Sequence, residues 1–202
     1  MKKLTLIILG VVLSVTVFAQ NWDIDLLKTI NLNRNTQLDA AFIGITNSVA
    51  PIAFGVPILF FGMGLIKRDS IYKANGLYIG SSILTSIIIS NILKYSVNKP
   101  RPFETYNLIQ KITDGGSPSF PSGHTSDAFA LAIAVSIIYP KWYVIAPSFL
   151  WAGAVGYSRM DLGVHYPSDV LAGAIVGSGS ALLTYELNKW INKKRVHHHN
   201  EK

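Results

Sequence analysis

The chain has 202 residues, half of them hydrophobic and only 14% charged, where an ordinary soluble domain carries about a quarter. That length suits one domain, and the apolar balance excludes a typical water-soluble one. Absent cysteine excludes disulfides and thiolate metal sites, and the net charge of +7 comes from short basic clusters between apolar runs, without the basic stripe that nucleic acid requires, so no such partner is expected.

Residues 1–19 carry Lys2 and Lys3, an apolar stretch from Leu4 to Phe18, then Ala19. This reads as a signal peptide cleaved after Ala19, or as a retained first membrane anchor that is short for a full span. Either way residue 20 is delivered outside the cytoplasm. Residues 20–38 interleave Trp22, Ile24, Leu26, Leu27, Ile30 and Leu32 with polar positions. They suit an amphipathic helix on the membrane surface, or equally a cap on a helix bundle.

Five apolar segments follow within a membrane domain read as residues 39–190. Ala40 to Ile66 and Ala74 to Leu93 are uncharged and long enough to cross about 30 Å of hydrocarbon. Ala128 to Tyr139, Trp142 to Tyr157 and Val170 to Tyr185 are shorter, and each has polar residues at one end, as expected of helices sharing a polar site. Pro51 and Pro57 interrupt the first span, and Gly173 with Gly177 forms a pair of small residues suited to close helix packing. The predicted fold is all-α: a polytopic membrane bundle with about five core transmembrane helices plus the N-terminal signal peptide or anchor. Residues 191–202 are expected to form a basic, disordered cytoplasmic tail, its tract His197–His199 included.

With the N-terminus starting inside, the cytoplasmic segments hold Lys2, Lys3, Lys67, Arg68, Lys73, Lys141, Lys189, Lys193, Lys194, Arg195 and Lys202, eleven of the eighteen basic residues. Positive charge accumulates on cytoplasmic loops, so the other face is predicted to look outwards, to the periplasm or exterior of a bacterial inner membrane.

Three polar clusters fall at segment ends on that outer face. In the first, Lys94 ends a helix while Pro100 and Pro102 hold Arg101 on an extended bend beyond it. Two cations there suit an anion between them, with the arginine fork matched to phosphate oxygens, although basic residues at helix ends also snorkel to lipid headgroups. In the second, Ser122 is placed to cap the helix that follows, Gly123 allows close backbone approach, and His124 stands beside the free amides as a proton donor. A plain capped helix with an interfacial histidine fits equally. In the third, Arg159 precedes His165, Pro167 opens the last helix, and Asp169 lies four residues beyond His165. A carboxylate there can fix the imidazole tautomer and free the other nitrogen for attack, or the two form a structural pair.

Together these residues resemble the type 2 phosphatidic acid phosphatase superfamily over about residues 39–187. Its signature is Lys, six residues, Arg-Pro; then Pro-Ser-Gly-His; then Ser-Arg, five residues, His, three residues, Asp. Lys94 to Pro102, Pro121 to His124 and Ser158 to Asp169 match every specified position. The resemblance implies a helical bundle, His165 as the nucleophile forming a phosphohistidine, Asp169 orienting it, and His124 protonating the leaving group and then activating water. It gives Lys94, Arg101, Arg159, Ser122 and Gly123 to the phosphate. No metal and no cofactor are implied, and the expected substrate is a lipid phosphate or diphosphate, with membrane lipids around the protein and no obligatory protein partner. The alternative is a soluble periplasmic acid phosphatase with the same site. The segment from Phe103 to Phe120 joins the first two clusters and is expected to frame the entrance.

Overall fold

The computed structural model describes residues 22–116 and 118–200, with side chains placed through residue 191. The expected signal peptide or anchor lies outside the described residues. Among the described residues every regular element is helical. Helix α1 covers residues 22–32. A 3₁₀ turn (Thr36–Leu38) leads into α2 (Asp39–Asn47), α3 (Val49–Ile66), α4 (Ser70–Val97), the short α5 (Pro102–Thr105), α6 (Gly123–Ile138), α7 (Trp142–Asp161) and α8 (Pro167–Asn200).

The first apolar run is not one helix. It breaks at Ser48, three residues before Pro51, whose ring nitrogen cannot donate to the carbonyl of Asn47. The hydroxyl of Ser48 donates to Ile45 O at 2.7 Å and accepts from Trp151 Nε1 at 2.9 Å, so the break is anchored to α7. Helix α4 is delimited by its caps. The Asp69 carboxylate accepts from the amides of Ile71 and Tyr72, and Asn98 ends the helix in the left-handed region at φ 49°. Its 28 residues rise about 42 Å, more than the hydrocarbon thickness. Lys94 therefore stands in the last turn, at the edge of the bundle.

Helix α6 packs against α8, α4 and α7 and forms the centre of the bundle. Small residues allow this. A side chain at Gly177 would strike the carbonyl of Ser126, and one at Gly173 would come within 2.6 Å of the Ser122 carbonyl. The Gly173–Gly177 pair is thus a close-packing seam, with Gly173 lying against Ser122.

Outward-facing positions are apolar along the bundle. Ile66 is 85% exposed and Leu150 74%, and Ile58, Leu59, Ile92, Leu171 and Ile175 also point away from the protein. Thr36–Ile66, Ser70–Thr105 and Pro167–Ile191 are each long and apolar enough to cross a membrane. A soluble bundle would bury these side chains, so the soluble alternative does not fit, and the protein is an all-α polytopic membrane bundle.

Helix α1 lies across one end of the bundle. Its Ile24 and Leu27 are buried with Ile109 and Tyr166, against Phe103, Tyr106 and Met160, while Trp22 is exposed. The segment thus caps the bundle and keeps Trp22 and Leu32 outside. At the other terminus α8 runs to Asn200. From Asn188 onward the sequence offers no proline or glycine to stop a helix.

Candidate active site

The C-terminal ends of α4 and α7 and the N-terminal ends of α6 and α8 meet at the end of the bundle covered by α1. The turn from α7 to α8 presents His165. Gly163 adopts φ +74°, and a Cβ there would collide with the carbonyl of Gln110, so only glycine fits. The amides of Val164 and His165 both donate to Arg159 O, at 3.1 and 3.2 Å. Pro167 opens α8 as expected, and Asp169 reaches back from the first turn to accept from the Tyr166 amide at 3.0 Å.

Arg101 has the extended backbone that its flanking prolines impose, with φ −76° and ψ 155°. Its Nη1 donates to Val164 O at 2.7 Å and lies 3.3 Å from His165 Nε2. A guanidinium only donates, so Nε2 carries the lone pair and Nδ1 carries the proton. Nδ1 lies 3.5 Å from both Asp169 Oδ2 and Ser119 Oγ, a loose arrangement beside ordinary bond lengths. The Ser119 hydroxyl in turn donates a short bond to Asp169 Oδ2. Only 1% of His165 is exposed. Burial pushes its pKa down to about 3; the hydrogen bond to Asp169 opposes this, and the charges of Arg101 and Arg159 add to it. The imidazole is therefore neutral at physiological pH.

Three cations share this end. Lys94 Nζ donates to Pro118 O at 2.7 Å. Arg159, 2% exposed, donates from Nη1 to Thr46 Oγ1 at 2.7 Å and from Nη2 to Asp114 O at 3.3 Å. Its Nε is buried without a partner. Charged groups taken out of water at such cost suit an anion that completes them. The charges of Arg159, Arg101 and Lys94 all reach His124, which is exposed and lines a cavity of about 430 Å³ with Arg159, Lys111, Thr113 and Asp114. From the segment Phe103 to Phe120, Lys111 to Asp114 line this cavity, while Phe103, Tyr106 and Ile109 pack with α1.

Ser122 departs from expectation in one respect. It holds the N-cap position of α6, but its side chain caps nothing. The hydroxyl instead pairs with Thr125 Oγ1 at 2.8 Å, and the Ser122 amide donates to Asp169 O at 3.0 Å. The serine ties α6 to α8 and leaves the first-turn amides without a side-chain acceptor from that position. A Cβ at Gly123 would meet only Lys94 Cε, at 3.8 Å, so the glycine leaves space beside a cation and is not forced by its backbone.

The structure brings Lys94, Arg101, His124, Arg159, His165 and Asp169 to one end of the bundle. It adds residues that motif spacing did not reveal. Ser119 joins His165 to Asp169, Thr46 holds Arg159, and Lys99 Nζ donates to Asp169 Oδ1 at 2.9 Å. Lys99 stands two residues before Arg101, at a position that the signature leaves unspecified.

The sequence matches the PAP2 superfamily over residues 75–193. It is 29% identical over 170 residues to an undecaprenyl-diphosphatase of Sulfolobus acidocaldarius, covering 82% of this chain and 78% of that protein. It is 30% identical over 163 residues to a lipid A 1-phosphatase of Rhizobium etli, covering 73% and 69%. The crystal structure of the first transmembrane PAP2 type phosphatidylglycerolphosphate phosphatase from Bacillus subtilis superposes with a TM-score of 0.74 over 93% of this chain and 96% of that one. At 22% identity that likeness concerns the fold alone.

Proposed function

The chain belongs to the PAP2 superfamily and is a metal-independent membrane phosphatase, and from that premise we propose that it hydrolyses a lipid phosphate or diphosphate through a phosphohistidine at His165. The observation that carries this reading is the line Arg101–His165–Asp169, in which a donor-only guanidinium marks Nε2 as the nitrogen with the free lone pair.

Nε2 attacks phosphorus, forming the N–P bond as the P–O bond to the lipid breaks. Arg101, Arg159 and Lys94 hold the three non-bridging oxygens, where charge is spread in the transition state. Arg101, which rests on Nε2 in the free enzyme, moves its hydrogen bond to one of those oxygens. The Ser122 hydroxyl and the Gly123 amide complete the phosphate cradle at the start of α6. His124 gives its proton to the departing oxygen, then takes one from water as water attacks phosphorus and the N–P bond breaks. Asp169 keeps the proton of Nδ1 in place throughout and faces the positive charge that the ring gains on phosphorylation.

The outer face of the membrane is the side we assign to the site. The opposite end of the bundle carries Lys67, Arg68, Lys73, Lys141 and Lys189, in agreement with positive-inside placement. The substrate is accordingly a lipid presenting phosphate or diphosphate at the outer leaflet of the inner membrane. The curated relatives act on undecaprenyl diphosphate and lipid A by name, and both classes fit that description.

Purified protein in detergent with EDTA is expected to release phosphate from undecaprenyl diphosphate or lipid A 1-phosphate, and an alkaline quench to trap an acid-labile phosphoryl group on His165. His165→Ala should lower the rate by about 10³ or more, as removal of other nucleophiles does. Label on another residue, or activity retained in that variant, would overturn the mechanism.

A further inference from the structure

Helix α1 reaches the catalytic dyad through a salt bridge that the signature motifs do not contain. Asp23, on α1, lies ahead of the segment matched to the superfamily, and Lys99 occupies an unspecified position of the first motif. The Asp23 carboxylate is buried. Its Oδ1 accepts from the Ser168 amide at 2.7 Å, and its Oδ2 accepts from Ser168 Oγ at 2.5 Å and from Lys99 Nζ at 3.3 Å. A carboxylate from a distant helix thus caps α8 two residues from its start.

Lys99 is held from several sides. Its ammonium donates to Asp169 Oδ1 at 2.9 Å, to Ser168 Oγ at 3.0 Å and to Asp23, and it lies 4.0 Å from the centre of the Tyr166 ring. An ammonium has three donors, and three oxygens surround this one. The two oxygens of Asp169 are thereby divided. Oδ1 belongs to Lys99, while Oδ2 is left to Tyr166 N, Ser119 and His165 Nδ1. Lys99 has no hydrogen bond to His165 and does not line the cavity beside His124.

We propose that Lys99, clamped by Asp23, is a positioning residue for hydrolysis: it fixes Asp169 so that Oδ2 faces the His165 imidazole, and it makes α1 part of the catalytic machinery. This rests on His165 being the nucleophile. The charged groups acting on His165 are Asp169 from α8, Arg101 at the start of α5 and Arg159 from α7. Lys99 and Asp23 act on it through Asp169. Removing the Lys99 charge leaves Asp169 freer to stabilise an imidazolium, so protonation of the free enzyme should begin at higher pH. Removing the Asp23 charge works the other way.

The test uses full-length protein in detergent, with undecaprenyl diphosphate as substrate and inorganic phosphate as competing ligand. Lys99→Met is expected to lower kcat by about tenfold or more, the scale of other supporting-residue losses. KM and the inhibition constant of phosphate should stay within about twofold, since no phosphate contact is lost. The acid limb of kcat/KM should move to higher pH. Lys99→Arg should recover part of kcat. Asp23→Asn should lower kcat less and move the acid limb to lower pH, and it keeps the proposal testable if Lys99→Met does not fold. A rise in KM and in the phosphate inhibition constant at unchanged kcat would make Lys99 a phosphate ligand and overturn the proposal. Shifts of the acid limb in the same direction in both variants would overturn it too. If the alkaline-quench label is absent from His165, the catalytic reading itself fails; if it is present and these variants behave as wild type, only the positioning role does.

Discussion

The two ends of α4 and α8 obey different physics from their middles. At the end that carries the site, Lys94, Lys99, Arg101, Arg159, His165 and Asp169 are held by directional bonds, most to a partner on another element. Across the middle, Ile79, Ile83, Leu131, Ala134 and Ala181 make an apolar core in which shape and size decide, and the outward faces expose apolar side chains. The site holds unfavourable groups, such as buried cations and an unpartnered Arg159 Nε, as expected where function and not packing selects the residue. The bundle beneath is built mainly for close approach, although Ser136 Oγ is also buried there without a partner.

The sharpest way to separate the two regions is Arg159→Met. Activity should fall by about 10² to 10³, the scale for losing one donor to the transition-state charge. Thermal stability in detergent should hold, since the change removes a buried charge whose Nε is unsatisfied and costs the bonds to Thr46 and Asp114. A large drop in melting temperature would mean that the cation serves the fold as much as the site.

Gly177→Val should do the opposite. The new side chain would strike the Ser126 carbonyl on α6, so stability should fall by about 1–3 kcal/mol, read by thermal unfolding. Protein that remains folded should keep its KM. A rise in KM would show that the seam also sets the position of Ser122.

Much of the site end was legible in the sequence because the chemistry proposed for it demands residue identity. A lysine, two arginines, two histidines and an aspartate are hard to exchange, and their spacings follow from where one helix ends and the next begins. The spans were legible for the same reason that a bilayer is thick. What stayed hidden arrives through tertiary contact. Asp23 meets Ser168 across 145 positions, Thr46 meets Arg159 across 113, and Ser119 meets Asp169 across 50. No local pattern marks these pairs. The bend at Ser48 was half legible, since Pro51 announced an interruption but not its place, which the bonds to Ile45 and Trp151 decide. Ser122 looked like a cap from its neighbours and turned instead to Thr125.

The smallest expected effect tests whether the outward face of α3 meets lipid or protein. Leu59 is 65% exposed, whereas Leu131 on α6 is 4% exposed within the core. Leu131→Ala removes packing that the core cannot refill and should cost about 2–5 kcal/mol. Leu59→Ala exchanges contact with acyl chains or detergent for the same contact with a smaller side chain, and the helix is in lipid whether or not the bundle is assembled. Its cost should stay within about 0.5 kcal/mol, as for substitutions away from any packed feature. The comparison is made by thermal unfolding of both variants in one detergent. A Leu59→Ala loss as large as that of Leu131→Ala would mean that α3 rests against another protein surface in the membrane, so that the apolar belt is not simply the lipid-facing side of a single bundle.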